Sequence, residues 1–180
     1  MSKSHELHLM IGESINSAFE GKAGIKVVRD EACGGKQHIP LFLSENKKRE
    51  NVICNVDLMV IKDNHISIII EIEESNVKPT QICGKYLTSA ISVCYFHAKE
   101  NNKPVRMSKN VLFIQVLDNI KLPKGSVKIP QWIQIGERIK KVISDFHGTS
   151  VNKYELLFGN KGQFSGLEKA LINKIEAHLT

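Results

Sequence analysis

Apolar residues recur at helical spacing near both ends of the chain, and they gather into strand-like runs between them. Near the start, five apolar residues fall on one stripe, namely Leu7, Ile11, Ile15, Ala18 and Phe19. This stripe predicts an amphipathic helix over residues 5–19, which Gly21 and Gly24 end. Residues 53–61 and 66–73 are rich in β-branched residues and apolar on both faces, which indicates strands covered on both sides of a sheet.

The remaining elements are predicted from the same periodicities and from proline signals. Strands are predicted at residues 25–28, 39–43, 111–117 and 154–158. Helices are predicted at residues 79–98, 129–146 and 165–179, the first two of which begin at or next to a proline. Together these elements predict one α/β domain over residues 1–180, with a mixed central sheet flanked by helices and further helices at the C-terminal end.

Three carboxylates lie on the two central strands, at Asp57, Glu71 and Glu73. Burying a carboxylate costs on the order of several kcal/mol unless a base or a metal ion meets it. Strands often end in acids where they emerge into solvent, which would explain the two glutamates. It does not explain Asp57, which stands between Val56 and Leu58 in the middle of an apolar run. The pattern therefore favours a shared site over three separate surface acids.

The turn between the two strands decides whether Asp57 and Glu71 can meet. A tight turn made of residues 63–64 alone sets Asp57 opposite Ile70 and turns Glu71 to the other face of the sheet. One additional residue sets Asp57 opposite Glu71. A shared site therefore requires an odd-length loop or a β-bulge in this hairpin.

The arrangement resembles the PD-(D/E)xK nuclease superfamily, in which an aspartate on one strand and a (D/E)-x-K sequence on the next hold a divalent metal ion at the scissile phosphate. Asp57 matches the first element and Glu71 the second, while Glu73 stands where the lysine usually stands. Val56 replaces the proline. Glu-x-Glu occurs in a minority of the restriction enzymes of that superfamily. The order of predicted elements over about residues 5–118 also matches the αβββαβ core of the superfamily.

The resemblance implies a restriction endonuclease-like fold and a Mg²⁺-dependent endonuclease that hydrolyses the phosphodiester bonds of double-stranded DNA. It implies that Asp57 and Glu71 bind Mg²⁺, because carboxylates are ligands that this ion prefers. It makes Glu73 the third catalytic residue, which would accept a proton from the attacking water or help to hold a second ion. Lys78 and Lys85 are candidates for a displaced lysine, although a surface position is the simpler interpretation of both.

Other titratable residues have weaker claims to the site. Glu6 and Glu13 are on the first helix, where some members of the superfamily carry a further carboxylate, but both fall outside the apolar stripe and are predicted to be exposed. His65 in the turn and His97 at a predicted helix end have no partner that the sequence reveals. We therefore leave both histidines out of the catalytic set.

Charge favours an anionic partner. The chain carries 25 Lys and Arg against 19 Asp and Glu, a formal net charge of +6. The basic residues cluster, and most of the clusters fall in predicted loops. Any one cluster is explained as solvated surface, but together with a carboxylate site they favour double-stranded DNA as the partner. The enzyme would act as a homodimer or as the cleavage subunit beside a larger partner.

The remaining features indicate a cytoplasmic protein. No apolar run approaches the length that crosses a bilayer, so no membrane partner is expected, and the first residues lack the apolar core of a secretory signal. The cysteines are far apart in the sequence, without the spacing of a zinc site, which predicts reduced thiols; they are Cys33, Cys54, Cys83 and Cys94.

Two alternative functions remain open on the sequence. The first is a non-catalytic DNA-binding or assembly protein on the same fold, which the absence of the motif lysine at Glu73 favours. The second is a structure-selective nuclease of the repair or junction-resolving kind, which would cleave branched DNA in preference to a linear duplex.

Overall fold

In the computed structural model the described residues are 5–74, 77–97, 103–145 and 148–180. Within them, the α-helices are α1 (Glu6–Phe19), α2 (Pro79–Ala90), α3 (Lys128–Asp145) and α4 (Phe164–Leu179). The strands are β1 (Ile25–Arg29), β2 (Pro40–Phe42), β3 (Val52–Asn55), β4 (Leu58–Lys62), β5 (His65–Glu73), β6 (Cys94–Phe96), β7 (Pro104–Asp118) and β8 (Val151–Gly159).

All eight strands belong to one mixed sheet, with the order β1-β4-β5-β7-β6-β2-β3 and with β8 also paired to β7. Strands β1, β4 and β5 form an antiparallel meander, whereas β5, β7 and β8 run parallel to one another. Strand β7 pairs with β6 near its start and with β8 over the rest of its length, on the edge away from β5. The predicted α/β class with a mixed central sheet is confirmed.

Helices cover both faces of this sheet, which explains why the central strands are apolar throughout. One apolar core lies between the sheet and α2 and α3, and Ile69 of β5 belongs to it. The other core lies between the sheet and α1 and α4, and Ile70 and Ile72 belong to it. Because side chains alternate along a strand, Glu71 and Glu73 fall on the α2 face and Glu74 on the α1 face. Among the described helices, none combines the length and the apolarity needed to cross a membrane.

The single strand predicted over residues 53–61 is wrong in the middle. The structure has two strands there, since β3 pairs with β2 and β4 pairs with β1 and β5. The break falls at Val56 and Asp57. The backbone N–H of Val56 donates to the carbonyl of Ile39, and the backbone carbonyl of Asp57 accepts from the N–H of Asp30. Sheet partners change at this point, and an apolar run does not record such a change.

The β4–β5 hairpin contains the extra residue that a shared site requires. Asp63 and Asn64 both have positive φ, of 49° and 61°, as in a tight hairpin turn of two residues. Next to this turn Lys62 pairs with His65, but after an irregularity at Ser67 the register has moved by one residue. A bulge in the strand, and not a longer loop, therefore supplies the odd residue.

The helix predicted over residues 79–98 is wrong after Ala90. Residues 94–96 instead form β6, which fits between β2 and the start of β7. Cys94, Tyr95 and Phe96 are all buried there. Aromatic side chains of this kind favour a strand when neighbouring strands are available on both sides. Residue 98 is outside the described residues.

The other predicted elements are confirmed, with shifted boundaries. Strand β7 begins seven residues before the predicted 111–117, and β8 extends the predicted 154–158 at both ends. Helix α3 ends at Asp145, and residue 146 of the predicted helix is outside the described residues. The cysteines are free thiols, as predicted, with Cys33 and Cys94 buried and Cys83 exposed.

The turn provides a test of the hairpin geometry. Replacing Asn64 by Val places a β-branched residue at φ 61°. We expect the free energy of unfolding to fall by about 1–2 kcal/mol, measured by urea denaturation, because the left-handed region crowds Cβ against the backbone. Asn64→Gly is the matched control and should stay within about 0.5 kcal/mol of wild type. Equal stabilities of the Val and Gly variants would contradict this turn.

Candidate active site

Asp57 stands at the break between β3 and β4, where its side chain is close to the end of β5. Continuing the β4–β5 register one residue beyond the Leu58–Ile70 pair places Asp57 opposite Glu71. Its Oδ2 accepts a hydrogen bond of 2.7 Å from the backbone N–H of Ile72. This bond fixes the carboxylate against the neighbouring strand. The register places Asp57 and Glu71 next to each other, as a shared site requires.

Glu71 is fully buried, with 0% of the residue exposed. Its Oε2 accepts a hydrogen bond of 2.7 Å from Nζ of Lys85. The same ammonium group is 3.9 Å from Oε1 of Glu73. Among the described residues, Oε1 of Glu71 has no hydrogen-bond partner. One face of the sheet thus holds two glutamates that share a lysine.

Lys85 reaches this position because α2 begins shortly after β5 ends. Pro79 is at the start of the helix, where it costs no hydrogen bond. Ile82 and Tyr86 are buried against the sheet, and Lys85 is on the same side of the helix. Its side chain remains 32% exposed, so the aliphatic part crosses the apolar surface while the ammonium group points to the carboxylates at the edge.

Burial and charge pull the proton affinities of this cluster in opposite directions. Burial raises the pKa of the Glu71 carboxyl well above its usual range, the Asp57 carboxylate raises it further, and Lys85 lowers it. Burial lowers the pKa of the Lys85 ammonium group, but the carboxylates of Glu71 and Asp57 outweigh it and raise that pKa overall. Burial also raises the pKa of Glu73. The lysine stays charged, and the glutamates hold protons more tightly than free carboxylates do.

Gln115 on β7 is a further buried polar residue next to the glutamates of β5. It pairs directly with Glu71 in the parallel β5–β7 ladder and is fully buried. The hydroxyl of Tyr154 on β8 donates to Oε1 of Gln115 at 2.7 Å. Within the described part of the chain, Nε2 of Gln115 has no partner. A buried polar residue therefore lies directly beside Glu71 on the neighbouring strand.

On the opposite face of the sheet, a histidine contacts Asp57 and Glu74. His8 is buried on α1, and its Nε2 is 3.7 Å from Oδ2 of Asp57. Its Nδ1 is 2.6 Å from Oε1 of Glu74, which also accepts a 2.9 Å hydrogen bond from the backbone N–H of His8. Glu74 thus satisfies a free N–H in the first turn of α1, where a carboxylate is favoured. Asp57 therefore lies near Glu71 on one face of the sheet and near His8 on the other.

Sequence reasoning missed His8 and undervalued Lys85. The position of His8 could have been predicted, because it lies on the apolar face of α1, one turn before the buried Ile11. Lys85 was recognised as a candidate, but its interpretation as a surface lysine is wrong, since it contacts a fully buried carboxylate. Lys78, the other candidate, is exposed just before α2.

The other acids and histidines considered in the sequence analysis lie away from this site. Glu6 forms an exposed ion pair with Lys161 at 3.0 Å, and Glu13 is exposed on α1, as predicted for both. His65 is exposed in the hairpin, where its Nδ1 is 3.0 Å from the carbonyl of Asp63. His97 is buried, with its ring packed edge-on against Tyr95. None of these contacts involves Asp57, Glu71 or Glu73.

The donor set suits a hard divalent cation. Asp57, Glu71 and Glu73 offer carboxylate oxygens, which are the ligands that Mg²⁺ prefers, and Oε1 of Glu71 is buried without a hydrogen-bond partner in the described structure. The ammonium group of Lys85 neutralises part of the negative charge of Glu71 and Glu73. The oxygen donors therefore fit Mg²⁺ in chemistry, although Asp57, Glu71 and Glu73 are not among the described side chains whose ligand atoms all lie within 4.8 Å of one another.

Comparisons with models of known protein families, with curated proteins and with solved structures found no match for the chain. The resemblance to the nuclease superfamily therefore rests on the sequence motif and the order of the elements alone, and no match supports it.

The buried ion pair predicts a pH-dependent stability. In Lys85→Met, the Glu71 carboxylate is left without its cation, and we expect the free energy of unfolding at pH 7 to fall by about 3 kcal/mol. Burial raises the pKa of Glu71 above the reference value of 4.5, so protonation removes the unpaired charge at low pH. The loss should therefore shrink as the pH falls toward 4.5 and grow as the pH rises.

Urea denaturation of both proteins across this pH range measures the difference. Lys140→Met is the matched control, because Lys140 pairs with Glu137 at 3.1 Å on an exposed helix face. That variant should lose less than about 0.5 kcal/mol at every pH. A loss in Lys85→Met that does not change with pH would contradict the assignment of the charge to Glu71.

Proposed function

We propose that this chain is a Mg²⁺-dependent endonuclease that cleaves double-stranded DNA, built on a restriction endonuclease-like fold. The observation that carries the proposal is the position of Lys85. It brings a lysine to Glu71 and Glu73 from the following helix, at 2.7 and 3.9 Å. The cluster therefore contains the aspartate, glutamate and lysine of a PD-(D/E)xK site, although the lysine comes from the following helix and Glu73 stands at the motif position.

The connectivity of the central strands supports this proposal. Helix α1 is followed by the antiparallel strands β1, β4 and β5, then by α2 and by β7, which is parallel to β5. This is the αβββαβ succession, with β2, β3 and β6 added at one side of the sheet. Asp57 immediately precedes the second strand of this core, and Glu71 and Glu73 are in the last three residues of the third. A fold hosts many functions, so the site and not the topology decides the assignment.

Each residue has a distinct part in this chemistry. Asp57 and Glu71 would hold the ion, which would supply Lewis acidity toward the phosphate and make water a better nucleophile. Glu73 is placed to accept a proton from the attacking water, since burial raises its pKa and makes it a stronger base than a free carboxylate. Lys85 keeps its positive charge and stabilises the negative charge that builds up on the phosphoryl oxygens.

The charge of the chain supports a polyanionic substrate. The formal net charge is +6 although the site itself is acidic. A basic surface attracts duplex DNA by counterion release and gives binding that weakens steeply with salt. Cleavage of both strands then requires either a two-fold dimer or a partner subunit.

One observation favours a non-catalytic DNA-binding protein on the same fold. Lys85 and Glu71 form a direct ion pair of 2.7 Å. A fold that had lost its chemistry would keep such a buried pair because removing either partner is costly. The two functions differ in whether Mg²⁺ changes the DNA.

The test is incubation of the purified protein with supercoiled plasmid, linear phage DNA and a four-way junction, with Mg²⁺ or with EDTA. Asp57→Asn removes the charge but keeps an oxygen for the N–H of Ile72. We expect Mg²⁺-dependent cleavage of duplex DNA that falls by more than about a hundredfold in this variant, since a metal ligand is lost. Asp63→Asn, in the exposed turn, is the matched control and should cleave like wild type.

The outcomes separate the alternatives. Discrete duplex fragments establish a site-specific endonuclease, and nicking alone indicates that a partner subunit is missing. Cleavage restricted to the junction would replace the proposal with a structure-selective nuclease. Salt-sensitive binding of DNA without any cleavage, unchanged in Asp57→Asn, would overturn the catalytic assignment in favour of a binding protein.

A further inference from the structure

A group of metal-ligand side chains lies on the α1 face of the sheet, across from Lys85. His5 immediately precedes α1, His8 is in its first turn, and Glu74 follows β5. One ligand atom from each lies within 4.8 Å of the other two. The sequence separates Glu74 from the histidines by 66 residues, so the packing of α1 on the sheet assembles this group.

We propose that His5, His8 and Glu74 bind a zinc-class transition-metal ion, at a site separate from the Mg²⁺ site proposed for Asp57 and Glu71. Two imidazoles and one carboxylate make a donor set that suits Zn²⁺, Co²⁺ or Ni²⁺ and leaves a position open for water. Mg²⁺ prefers oxygen ligands and binds imidazole poorly. The two sites thus differ in the metal they select.

The His8 side chain is held ready for this role. Its Nδ1 faces Oε1 of Glu74 at 2.6 Å, and its Nε2 faces Oδ2 of Asp57 at 3.7 Å. Metal-binding histidines commonly present their other ring nitrogen to a carboxylate, which orients the ring and raises its basicity. We assign Nδ1 to the ion and Nε2 to the side of Asp57. The ion displaces the proton between His8 and Glu74, and Nδ1 and Oε1 must move apart from their 2.6 Å contact so that both can ligate it.

His5 completes the set from a more exposed position. Its ring packs edge-on against that of His8, with the centroids 5.2 Å apart. Because His5 is exposed, the ion can enter from solvent and the ring can turn toward it. Glu74 is held by the backbone N–H of His8 at 2.9 Å, so two of the three ligands are already side by side.

The proposal is tested by titrating the full-length protein with Co²⁺ and with Zn²⁺, in excess Mg²⁺ to occupy the carboxylate site. We expect one ion per chain by calorimetry, together with the ligand-field absorption of Co²⁺ bound to nitrogen. His5→Asn should weaken binding by at least about tenfold, as is typical when a ligand or its support is lost. Since His5 is exposed, this variant should keep its fold, which circular dichroism checks.

Two further variants complete the design. Glu74→Gln should weaken binding as His5→Asn does, and His65→Asn is the matched control. His65 is an exposed histidine at the start of β5, the opposite end of the strand from Glu74, and its loss should leave the affinity within about twofold of wild type.

Saturable binding that His5→Asn and Glu74→Gln leave unchanged would overturn the proposal, as would the absence of saturable binding to wild type. The result does not depend on nuclease activity, because no DNA is present. A chain that fails to cleave DNA but binds Co²⁺ through His5 would refute the proposed function and leave this site standing.

Discussion

The burial of the Glu71 carboxylate is the constraint on which the rest of this structure depends. A carboxyl group at 0% exposure requires either a proton or a nearby cation, and Lys85 is the cation that the described residues provide. To deliver Lys85, α2 must start directly after β5 and lie along the same face of the sheet. The crossover to β7 follows from this placement, because a strand that pairs parallel with β5 needs a connection that returns over the sheet.

A single inserted residue sets the geometry of the site. Without the bulge at Ser67, the β4–β5 register would place Asp57 opposite Ile70 and direct Glu71 away from it. The bulge moves the register by one, and the hydrogen bond from Ile72 then holds the Asp57 carboxylate at the strand break. Bulges commonly re-aim side chains beside functional sites. Here the bulge turns two separate acids into neighbours.

The end of β5 presents ligand groups to both faces of the sheet. Consecutive side chains alternate, so Glu73 is directed toward α2 and Glu74 toward α1. The first face has oxygen donors and a lysine, and the second has a carboxylate and imidazoles. Asp57 is at the edge between them, 3.7 Å from His8 and close enough to Lys85 to raise its pKa. Two chemically different groups therefore share one strand end and one aspartate.

The sequence by itself determined the class of fold, most of the helices and strands, and the three acids, because periodicity and a charge within an apolar run are local signals. It showed that Asp57 and Glu71 needed an odd-length loop or a bulge to meet, but not that a bulge at Ser67 would supply the extra residue. Only the tertiary structure decided that α2 ends at Ala90, that Lys85 pairs with Glu71, and that His8 joins Glu74 across 66 residues. The reason is physical: these contacts depend on which strands and helices lie side by side, and no local preference of the chain encodes that arrangement.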